Sequence, residues 1–284
     1  MAQYRETLHE GFEQVLHIQG EPLADENSPF QHIRIFDTKA NGRVLVLDDI
    51  LQLSDCDEAA YSEMLAHPPI LEHGEVRRVL IVGGGDGAVA EEVLKHAGIR
   101  HVDLVDIDAR VVALSKAHFA HVNNGAFEDP RLTFHAEDAF TFLANAEPGS
   151  YDLVIADRPD PVGPAASLFA RDFYARLEWA MAPFGVAVFQ TGAPFFQGGE
   201  LGETYRLLCE SFTRAGVYLT VVPTYTGGFM ALTWASKGLP LGECRGATLH
   251  RRADAAGIAT DYYSAEVHRA AFALPPWISR QLRR

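Results

Sequence analysis

The chain has 284 residues and carries 24 Lys and Arg against 38 Asp and Glu, which gives a formal net charge of −14. A chain of this length can bury a sizeable hydrophobic core, as one large domain or as two smaller ones. The acidic balance argues against a nucleic-acid binder and against a protein drawn to anionic lipid, since both need basic patches. It is compatible with cationic small substrates, although on charge alone an acidic soluble protein is the simpler interpretation.

Cysteine usage and hydropathy predict a cytoplasmic protein. Cys56, Cys209 and Cys244 lie far apart and form no Cys-x-x-Cys pair, a pattern that fits a reducing compartment. No apolar run approaches the roughly 20 residues that a membrane-spanning helix requires. The histidines are scattered, without the spacing typical of a metal site. We therefore expect no metal, and neither nucleic acid nor a membrane as a partner.

The first elements in chain order predict a small β-rich unit. Residues 31–36 alternate between polar and apolar side chains, and residues 44–47 and 50–53 are short apolar runs separated by turn residues. Residues 57–71 follow with a helical pattern, for which Asp57 is the expected N-cap. We divide the chain accordingly into an N-terminal β-strand domain, 1–56, and a catalytic domain, 57–284.

From residue 76 onwards, strands alternate with helices. The predicted strands are 79–82, 102–105, 132–135, 153–156, 186–190, 218–223 and 230–235, and the predicted helices are 88–96, 110–119, 139–143, 172–181 and 201–215. This alternation predicts an α/β fold with a doubly wound parallel sheet. Gly227-Gly228 between the last two strands indicates an antiparallel hairpin at one edge. The apolar segment 271–277 is expected to pack back on the sheet.

Acidic residues follow the carboxyl ends of four predicted strands. Asp86, Asp106 and Asp138 follow the first three, and Asp157 and Asp160 follow the fourth. Ligands of open α/β sheets bind beyond these strand ends. The sequence therefore predicts a ligand site lined by carboxylates.

The glycine-rich segment 83–87 (GGGDG) is typical of a nucleoside-binding turn. Asp106, twenty residues after Asp86, is placed to accept both ribose hydroxyls. Asp86 stands where a dinucleotide fold would hold pyrophosphate, and a carboxylate repels phosphate. This favours a phosphate-free nucleoside such as S-adenosylmethionine or a derivative; a tight turn without a ligand is the alternative. Asp138 either accepts from an adenine amino group or caps the following helix.

The segment 157–164 (DRPDPVGP) places two acids three residues apart among three prolines, which stiffen it. Asp160 alone could be a turn former, but Asp157 directly follows a buried run. A carboxylate wall beside a nucleoside suits a cationic amine. Such an amine, with a pKa of about 10.4 by analogy with lysine, must lose a proton before it can act as a nucleophile. An aspartate can accept that proton.

These residues resemble the polyamine aminopropyltransferases, specifically bacterial spermidine synthases. The resemblance runs over nearly the whole chain, in this order: 45–52 (LVLDDILQ), 57–58 (DE), 61–64 (YSEM), 83–87, 157–164, 167–169 (SLF), 223–225 (PTY), 227–228 (GG) and 270–275 (AAFALP). It implies a small N-terminal β-domain followed by a methyltransferase-like Rossmann domain. It also implies aminopropyl transfer from decarboxylated S-adenosylmethionine to putrescine, giving spermidine and 5′-methylthioadenosine. No further cofactor is implied.

The resemblance also assigns site residues. It implies that Asp157 is the catalytic acid/base. The implied donor-binding residues are Gln31, Gly83, Gly85, Asp86, Asp106, Asp138, Ala139 and Pro164. The implied acceptor-binding residues are Gln52, Tyr61, Ser62, Asp160 and Tyr225. Members of the family are commonly dimers or tetramers, so we expect a homodimer or homotetramer.

Two departures from the family pattern bear on the choice of amine. Ser62 stands where His or Gln is usual, and Arg158 adds a cation beside the acceptor acids. We expect Arg158 to face solvent or to pair with a nearby acid. Three alternatives stay open: an aminopropyltransferase for another amine (cadaverine, agmatine or spermidine), an S-adenosylmethionine-dependent methyltransferase, and a non-catalytic nucleoside-binding subunit.

Overall fold

The computed structural model describes residues 2–158 and 168–283. The strands of this part of the chain are β1 (Gln3–Glu6), β2 (Gln14–Asn27), β3 (His32–Thr38), β4 (Gly42–Leu47), β5 (Ile50–Ser54), β6 (Arg78–Gly83), β7 (His101–Asp106), β8 (Leu132–Ala136), β9 (Tyr151–Asp157), β10 (Met181–Gln190), β11 (Arg214–Val221) and β12 (Phe229–Ser236). The helices are α1 (Glu58–His73), α2 (Ala88–Leu94), α3 (Ala109–His118), α4 (Ala120–Asn123), α5 (Ala139–Ala144), α6 (Arg171–Ala180), α7 (Gly198–Ser211), α8 (Gly246–Ala256), α9 (Ala265–Ala271) and α10 (Pro276–Gln281), with a 3-10 turn at Ala126–Glu128.

The first five strands form an antiparallel meander in the spatial order β1-β2-β3-β4-β5, here called the N-terminal sheet. Three of them, β3 to β5, lie where the sequence predicts strands. The other two, β1 and β2, were missed. Leu16 is the single fully buried residue among the 14 of β2, so this strand lacks the alternating apolar pattern that identifies a half-buried strand.

The other seven strands form the Rossmann sheet, in the order β11-β12-β10-β9-β6-β7-β8. The strands from β10 to β8 in this order run parallel, whereas β12 is antiparallel to both β10 and β11. The predicted doubly wound sheet with an antiparallel hairpin at one edge is confirmed. Together with the small N-terminal sheet, this is a methyltransferase-like Rossmann architecture.

Helices cover both faces of the Rossmann sheet. In β6, Val79 and Ile81 pack with α1, α2, α8 and α9, whereas Leu80 and Val82 pack with α5, α6 and α7. All four side chains are at most 2% exposed. A strand that is buried on both faces reads as a continuous apolar run, which is why this strand could be predicted.

Helix α1 continues through Pro68 and Pro69 to His73. Pro68 has no backbone N–H to donate to the carbonyl oxygen of Met64, four residues earlier. The hydroxyl of Tyr218, on β11, donates to that carbonyl instead, at 2.7 Å. A tertiary hydrogen bond therefore replaces one that the helix cannot make.

Two local predictions were wrong because tertiary contacts override local preference. The predicted helix 201–215 ends at Ser211, and Arg214 already pairs with β12, opposite Ser236. Asp57 occupies the position before α1 but does not cap it. Its carboxylate instead accepts from the backbone N–H of Thr224 at 2.7 Å and from the Thr224 hydroxyl at 2.6 Å.

The C-terminal segment packs back on the sheet, as predicted. Within the predicted segment 271–277, the ring of Phe272 stacks on the ring of Tyr218 of β11, with centroids 4.9 Å apart. Ile278, directly after the segment, is fully buried in α10 and packs in one cluster with Leu201 of α7 and Leu219 of β11. Within the described ranges, no helix has the length and apolar character to span a bilayer.

The N-terminal sheet lies over the helices that follow the first strands of the Rossmann sheet. Ile33, Ile35 and Leu45 pack against Val111 and Leu114 of α3. This packing holds the N-terminal sheet beside the carboxyl ends of the parallel strands and encloses a cavity there.

Candidate active site

A cavity of about 350 Å³ lies between the N-terminal sheet and the carboxyl ends of β6 to β9. It is lined by every predicted site residue that the structure describes: Gln31, Gln52, Tyr61, Ser62, Gly83, Gly85, Asp86, Asp106, Asp138, Ala139, Asp157 and Tyr225. The other two, Asp160 and Pro164, lie outside the described residues. The topology therefore collects side chains that are up to 194 positions apart in sequence, from Gln31 to Tyr225.

The glycine loop after β6 is built by close backbone approach. Gly83 lies opposite Asp157 in the parallel register and has φ +80°, in the left-handed region. A Cβ at this position would lie 2.0 Å from the carbonyl oxygen of Asp157. A Cβ on Gly85 would lie 2.7 Å from Oδ2 of Asp106, to which the Gly85 N–H donates at 3.1 Å. Only glycine allows the loop to pack this closely against both acids.

A chain of hydrogen bonds and ring contacts fixes Asp157. The hydroxyl of Tyr61, on α1, donates to Oδ1 of Asp157 at 2.6 Å. The ring of Tyr61 meets the ring of Tyr225 edge-on, with centroids 5.7 Å apart. The Tyr225 hydroxyl donates to the backbone carbonyl of Gln52, on β5. The orientation of Asp157 therefore depends on contacts from both sheets.

Burial raises the pKa of three neighbouring carboxyl groups in the cavity. Burial, with the neighbouring Asp86 and Asp106 carboxylates, raises the pKa of Asp157 to about 7, although the Tyr61 hydrogen bond opposes this. Burial raises the pKa of Asp106 to about 6 and also raises the pKa of Asp86. Acids with such shifts are poised to exchange a proton near neutral pH, or to bind a cation that restores their charge.

Two of the predicted donor-binding residues also have structural contacts. Oδ1 of Asp138 accepts from the backbone N–H of Thr141 at 3.0 Å and so caps α5. The side-chain amide of Gln31 donates to Oδ2 of Asp108 at 2.9 Å. The capping alternative for Asp138 is thus borne out, and its role toward adenine stays a prediction.

Matches to family models decide which family this site belongs to. The model for the spermidine synthase tetramerisation domain matches residues 4–55, and the model for the spermine/spermidine synthase domain matches residues 58–242. The chain belongs to the spermine/spermidine synthase family. It is an enzyme, and its activity is that of a polyamine aminopropyltransferase.

Curated relatives and solved structures agree with this assignment. A polyamine aminopropyltransferase of Ruegeria sp. is 44% identical over 275 residues, 97% of this chain and 96% of the relative. Polyamine aminopropyltransferase 1 of Pseudomonas aeruginosa is 40% identical over 98% of this chain and 96% of its own length. A spermidine synthase crystallised with the transition-state analogue AdoDATO superposes with a TM-score of 0.94 at 29% identity, covering 99% of this chain and 95% of that one. The spermidine synthase of Thermotoga maritima gives a TM-score of 0.90 at 29% identity, with coverages of 99% and 94%.

Arg158 of this family member does not lie as predicted. Its side chain is 2% exposed and turns into the core of the Rossmann domain. The guanidinium carbon lies 3.5 Å from the ring centroid of Phe169, Nη1 donates to the hydroxyl of Tyr174 at 3.2 Å, and Nε donates to the carbonyl of Gln190 at 3.4 Å. The expectation that Arg158 faces solvent was wrong, because aromatic rings and carbonyl oxygens of the described residues surround the guanidinium. Whether Arg158 also pairs with an acid stays a prediction, since Asp160 lies outside the described residues.

Glu58 lines the cavity and was not among the predicted site residues. The Ser62 hydroxyl lies 2.7 Å from Oε2 of Glu58, one helical turn earlier. Burial is the largest cause that raises the pKa of Glu58 to about 7. An acid in the first turn of a helix is also favourable for the helix dipole, so the sequence offered a structural reason for Glu58. Among the described residues, no cluster of three or more His, Cys, Asp or Glu side chains could hold a metal ion.

Proposed function

We propose that this enzyme transfers the aminopropyl group of decarboxylated S-adenosylmethionine to putrescine, giving spermidine and 5′-methylthioadenosine. The observation that carries the proposal is the placement of Asp157. It ends β9 within the same cavity as the glycine loop and Asp106, and Tyr61 donates to its carboxylate. The residues proposed to bind the nucleoside and the proposed buried base therefore line the same cavity.

The donor's nucleoside is assigned to the carboxyl ends of β6, β7 and β8. In this proposal Asp106 accepts hydrogen bonds from both ribose hydroxyls, and the backbone of Gly83 and Gly85 lies against the nucleoside. Asp138 and Ala139, with Gln31, line the adenine end. Asp86 takes the ammonium of the aminopropyl chain. Pro164, outside the described residues, is retained as a proposed donor contact from the family resemblance alone.

The reaction is assigned as a direct displacement. The amine nitrogen attacks the aminopropyl carbon bonded to the sulfonium, a C–N bond forms, and the C–S bond breaks. The bonding electrons stay on sulfur, which becomes the neutral thioether of methylthioadenosine. Asp157 accepts the proton that the amine gives up. Its raised pKa brings a carboxylate closer to an amine in basicity and so favours that transfer.

The acceptor is assigned to the side of the cavity nearest the N-terminal sheet. This side is lined by Gln52, Tyr61 and Tyr225, and the aromatic faces of the two tyrosines suit an alkyl chain with cationic ends. Ser62 and Asp160 complete the proposed acceptor set, Asp160 from the family resemblance alone. Cadaverine, agmatine and spermidine remain alternative acceptors.

The assembly proposed is a homodimer or homotetramer. It rests on the match of residues 4–55 to the spermidine synthase tetramerisation domain. We propose no cofactor beyond the decarboxylated donor as co-substrate, and a cytoplasmic location stays a prediction.

Product identification by mass spectrometry tests the function. The enzyme is incubated with S-adenosylmethionine or its decarboxylated form, each with putrescine, cadaverine, agmatine or spermidine. We expect spermidine and methylthioadenosine from putrescine with the decarboxylated donor. A larger kcat/KM for another amine would overturn the acceptor, and methylated products would overturn aminopropyl transfer.

A further inference from the structure

Helix α1 carries three glutamates, and two of them fasten the C-terminal part of the chain. The Glu63 carboxylate accepts from the backbone N–H groups of Asp261, Tyr262 and Tyr263. The Glu72 carboxylate accepts from the backbone N–H groups of Gly242 and Cys244, at 3.1 and 3.2 Å. Both acids therefore have structural partners that explain why they are buried.

The third, Glu58, has a different environment. It lines the substrate cavity together with Asp86. Within residues 2–158 and 168–283, the Glu58 carboxylate contacts the Ser62 hydroxyl and forms no ion pair. Ser62 is fully buried and also lies 2.7 Å from the Glu58 carbonyl oxygen. One hydroxyl proton cannot be donated to both oxygens at once, so Ser62 orients the Glu58 carboxylate without neutralising it.

Glu58 also lines a second cavity, of about 180 Å³, that is acidic as well. The charged and titratable groups around this cavity, besides Glu58, are Glu63, Glu91, Glu92, Lys95, His121 and Asp261. Lys95 is already paired with Glu91 and Glu92, at 3.0 and 2.8 Å. Burial and the carboxylates of Glu92, Asp86 and Glu63 raise the pKa of Glu58, while the Ser62 hydrogen bond lowers it. Glu58 is therefore surrounded mainly by negative charge.

We propose that Glu58 and Asp86 together form one pocket for the ammonium of the donor's aminopropyl chain, and that Glu58 is a specificity-determining residue that favours a donor without a carboxylate. This inference rests on the proposed function and adds a residue to it. A cation between the two acids relieves their mutual repulsion, whereas the carboxylate of S-adenosylmethionine would add a like charge at the same place. Binding of the decarboxylated donor then drives a protonated Glu58 to give its proton to solvent.

Isothermal titration calorimetry at pH 7 tests this. Decarboxylated S-adenosylmethionine, S-adenosylmethionine and methylthioadenosine are each titrated into the wild-type enzyme and into Glu58→Gln, in two buffers with different ionisation enthalpies. Methylthioadenosine is the internal control because it has no ammonium. Glu91→Gln is the matched control variant, since Glu91 borders the second cavity but does not line the first.

For Glu58→Gln we expect the decarboxylated donor to bind about tenfold more weakly, the size expected for one lost charge-assisted contact. Methylthioadenosine should bind within about twofold of wild type. The preference for the decarboxylated donor over S-adenosylmethionine should shrink, and the number of protons released on donor binding should fall by the share that Glu58 contributes in the wild type. Glu91→Gln should leave all of these close to wild type.

The inference is overturned if Glu58→Gln binds the decarboxylated donor as the wild type does, or if it loses affinity equally for methylthioadenosine. A raised KM for the amine with unchanged donor affinity would also overturn it, because Glu58 would then serve the acceptor. A wild-type enzyme that binds no decarboxylated donor would instead contradict the proposed function itself. The two failures are therefore distinguishable.

Discussion

Two groups of buried carboxylates in this enzyme differ in what surrounds them. The fastening acids, Asp57, Glu63 and Glu72, accept hydrogen bonds from backbone N–H groups of segments far along the chain, and these bonds hold Asp57 although it also lines the cavity. The cavity acids, Asp86, Asp106 and Asp157, face an open cavity, and burial raises the pKa of each. The first group stabilises the fold, whereas the fold holds the second in an unfavourable state that a cationic or nucleoside ligand can relieve.

The largest effect expected from this difference is on turnover. Asp157→Asn keeps the shape of the side chain but removes the base, so kcat should fall by about 10²–10⁴-fold. Binding of methylthioadenosine, measured by calorimetry, should change little. Steady-state kinetics with the full panel of amines checks the prediction. Near-wild-type turnover with any of them would remove Asp157 from the chemistry.

Substitution of a fastening acid should instead lower the stability of the fold and leave turnover unchanged. Glu63→Ala leaves three backbone N–H groups without their acceptor, of which only that of Tyr263 belongs to a buried residue, and we expect a loss of about 1–3 kcal/mol in the free energy of unfolding. Urea denaturation measures it, with Glu75→Ala, an exposed acid close by, as the control. The milder Glu63→Gln serves if the alanine variant does not fold. At a temperature where the variant is folded, its kcat should be close to that of the wild type. A loss of kcat without a loss of stability would show that the fastening acids do not differ from the cavity acids in the way described.

The proposed ribose contact gives a smaller expected effect. Asp106→Ala should weaken the binding of methylthioadenosine at least about tenfold, since hydrogen bonds to a charged partner are worth about 1.5–3 kcal/mol each. Calorimetry on the wild type and the variant measures it. Retained affinity would place the nucleoside elsewhere in the cavity.

The smallest effect expected is on thermal stability, and it has a definite sign. Because the folded-state pKa of Asp157 is about 7, well above that of an exposed aspartate, the folded enzyme binds more protons than the unfolded chain at mildly acidic pH. The stability linked to this group is present at low pH and is lost as the pH rises through 7. Asp157→Asn should therefore unfold several degrees above the wild type at pH 8.

The stability difference should shrink toward pH 5, where the wild-type carboxyl is itself neutral. Scanning calorimetry at the two pH values makes the comparison. A variant less stable than the wild type at pH 8 would show that Asp157 also fastens the fold.

The sequence predicted the cavity acids better than the fastening acids for a physical reason. Asp86, Asp106 and Asp157 follow apolar strands, and parallel strands bring their carboxyl ends to one edge, so local pattern is sufficient to place them together. The hydrogen-bond partners of Glu63 lie about 200 residues further along the chain, so no local sequence pattern can predict these contacts. For the same reason Asp57 was predicted as a helix cap although it binds Thr224.

Other features escaped prediction because their signal is weak or ambiguous. Strand β2 has a mostly exposed surface, so it carries no alternating pattern. Glu58 looks like an ordinary acid in a first helical turn, and only the folded structure shows that it lines the cavity. Arg158 could not be placed because its partners, Phe169 and Tyr174, form a site for the guanidinium only after the domain has folded.

The close approach of Gly83 to the Asp157 carbonyl has a consequence for how such enzymes can diverge. The glycine loop after β6 and Asp157, which we propose as the donor-binding loop and the catalytic base, follow adjacent strands, so neither can shift without the other. The opposite side of the cavity, by contrast, is formed by three separate parts of the chain, which contribute Gln52, Tyr61 and Tyr225. Substitution of Tyr61 or Tyr225 would change both the space proposed for the amine and the contacts that orient the Asp157 carboxylate. The backbone therefore fixes the position of Asp157 relative to the glycine loop, whereas the orientation of its carboxylate depends on residues of the proposed acceptor side. A change in those residues is expected to alter proton transfer together with the choice of amine.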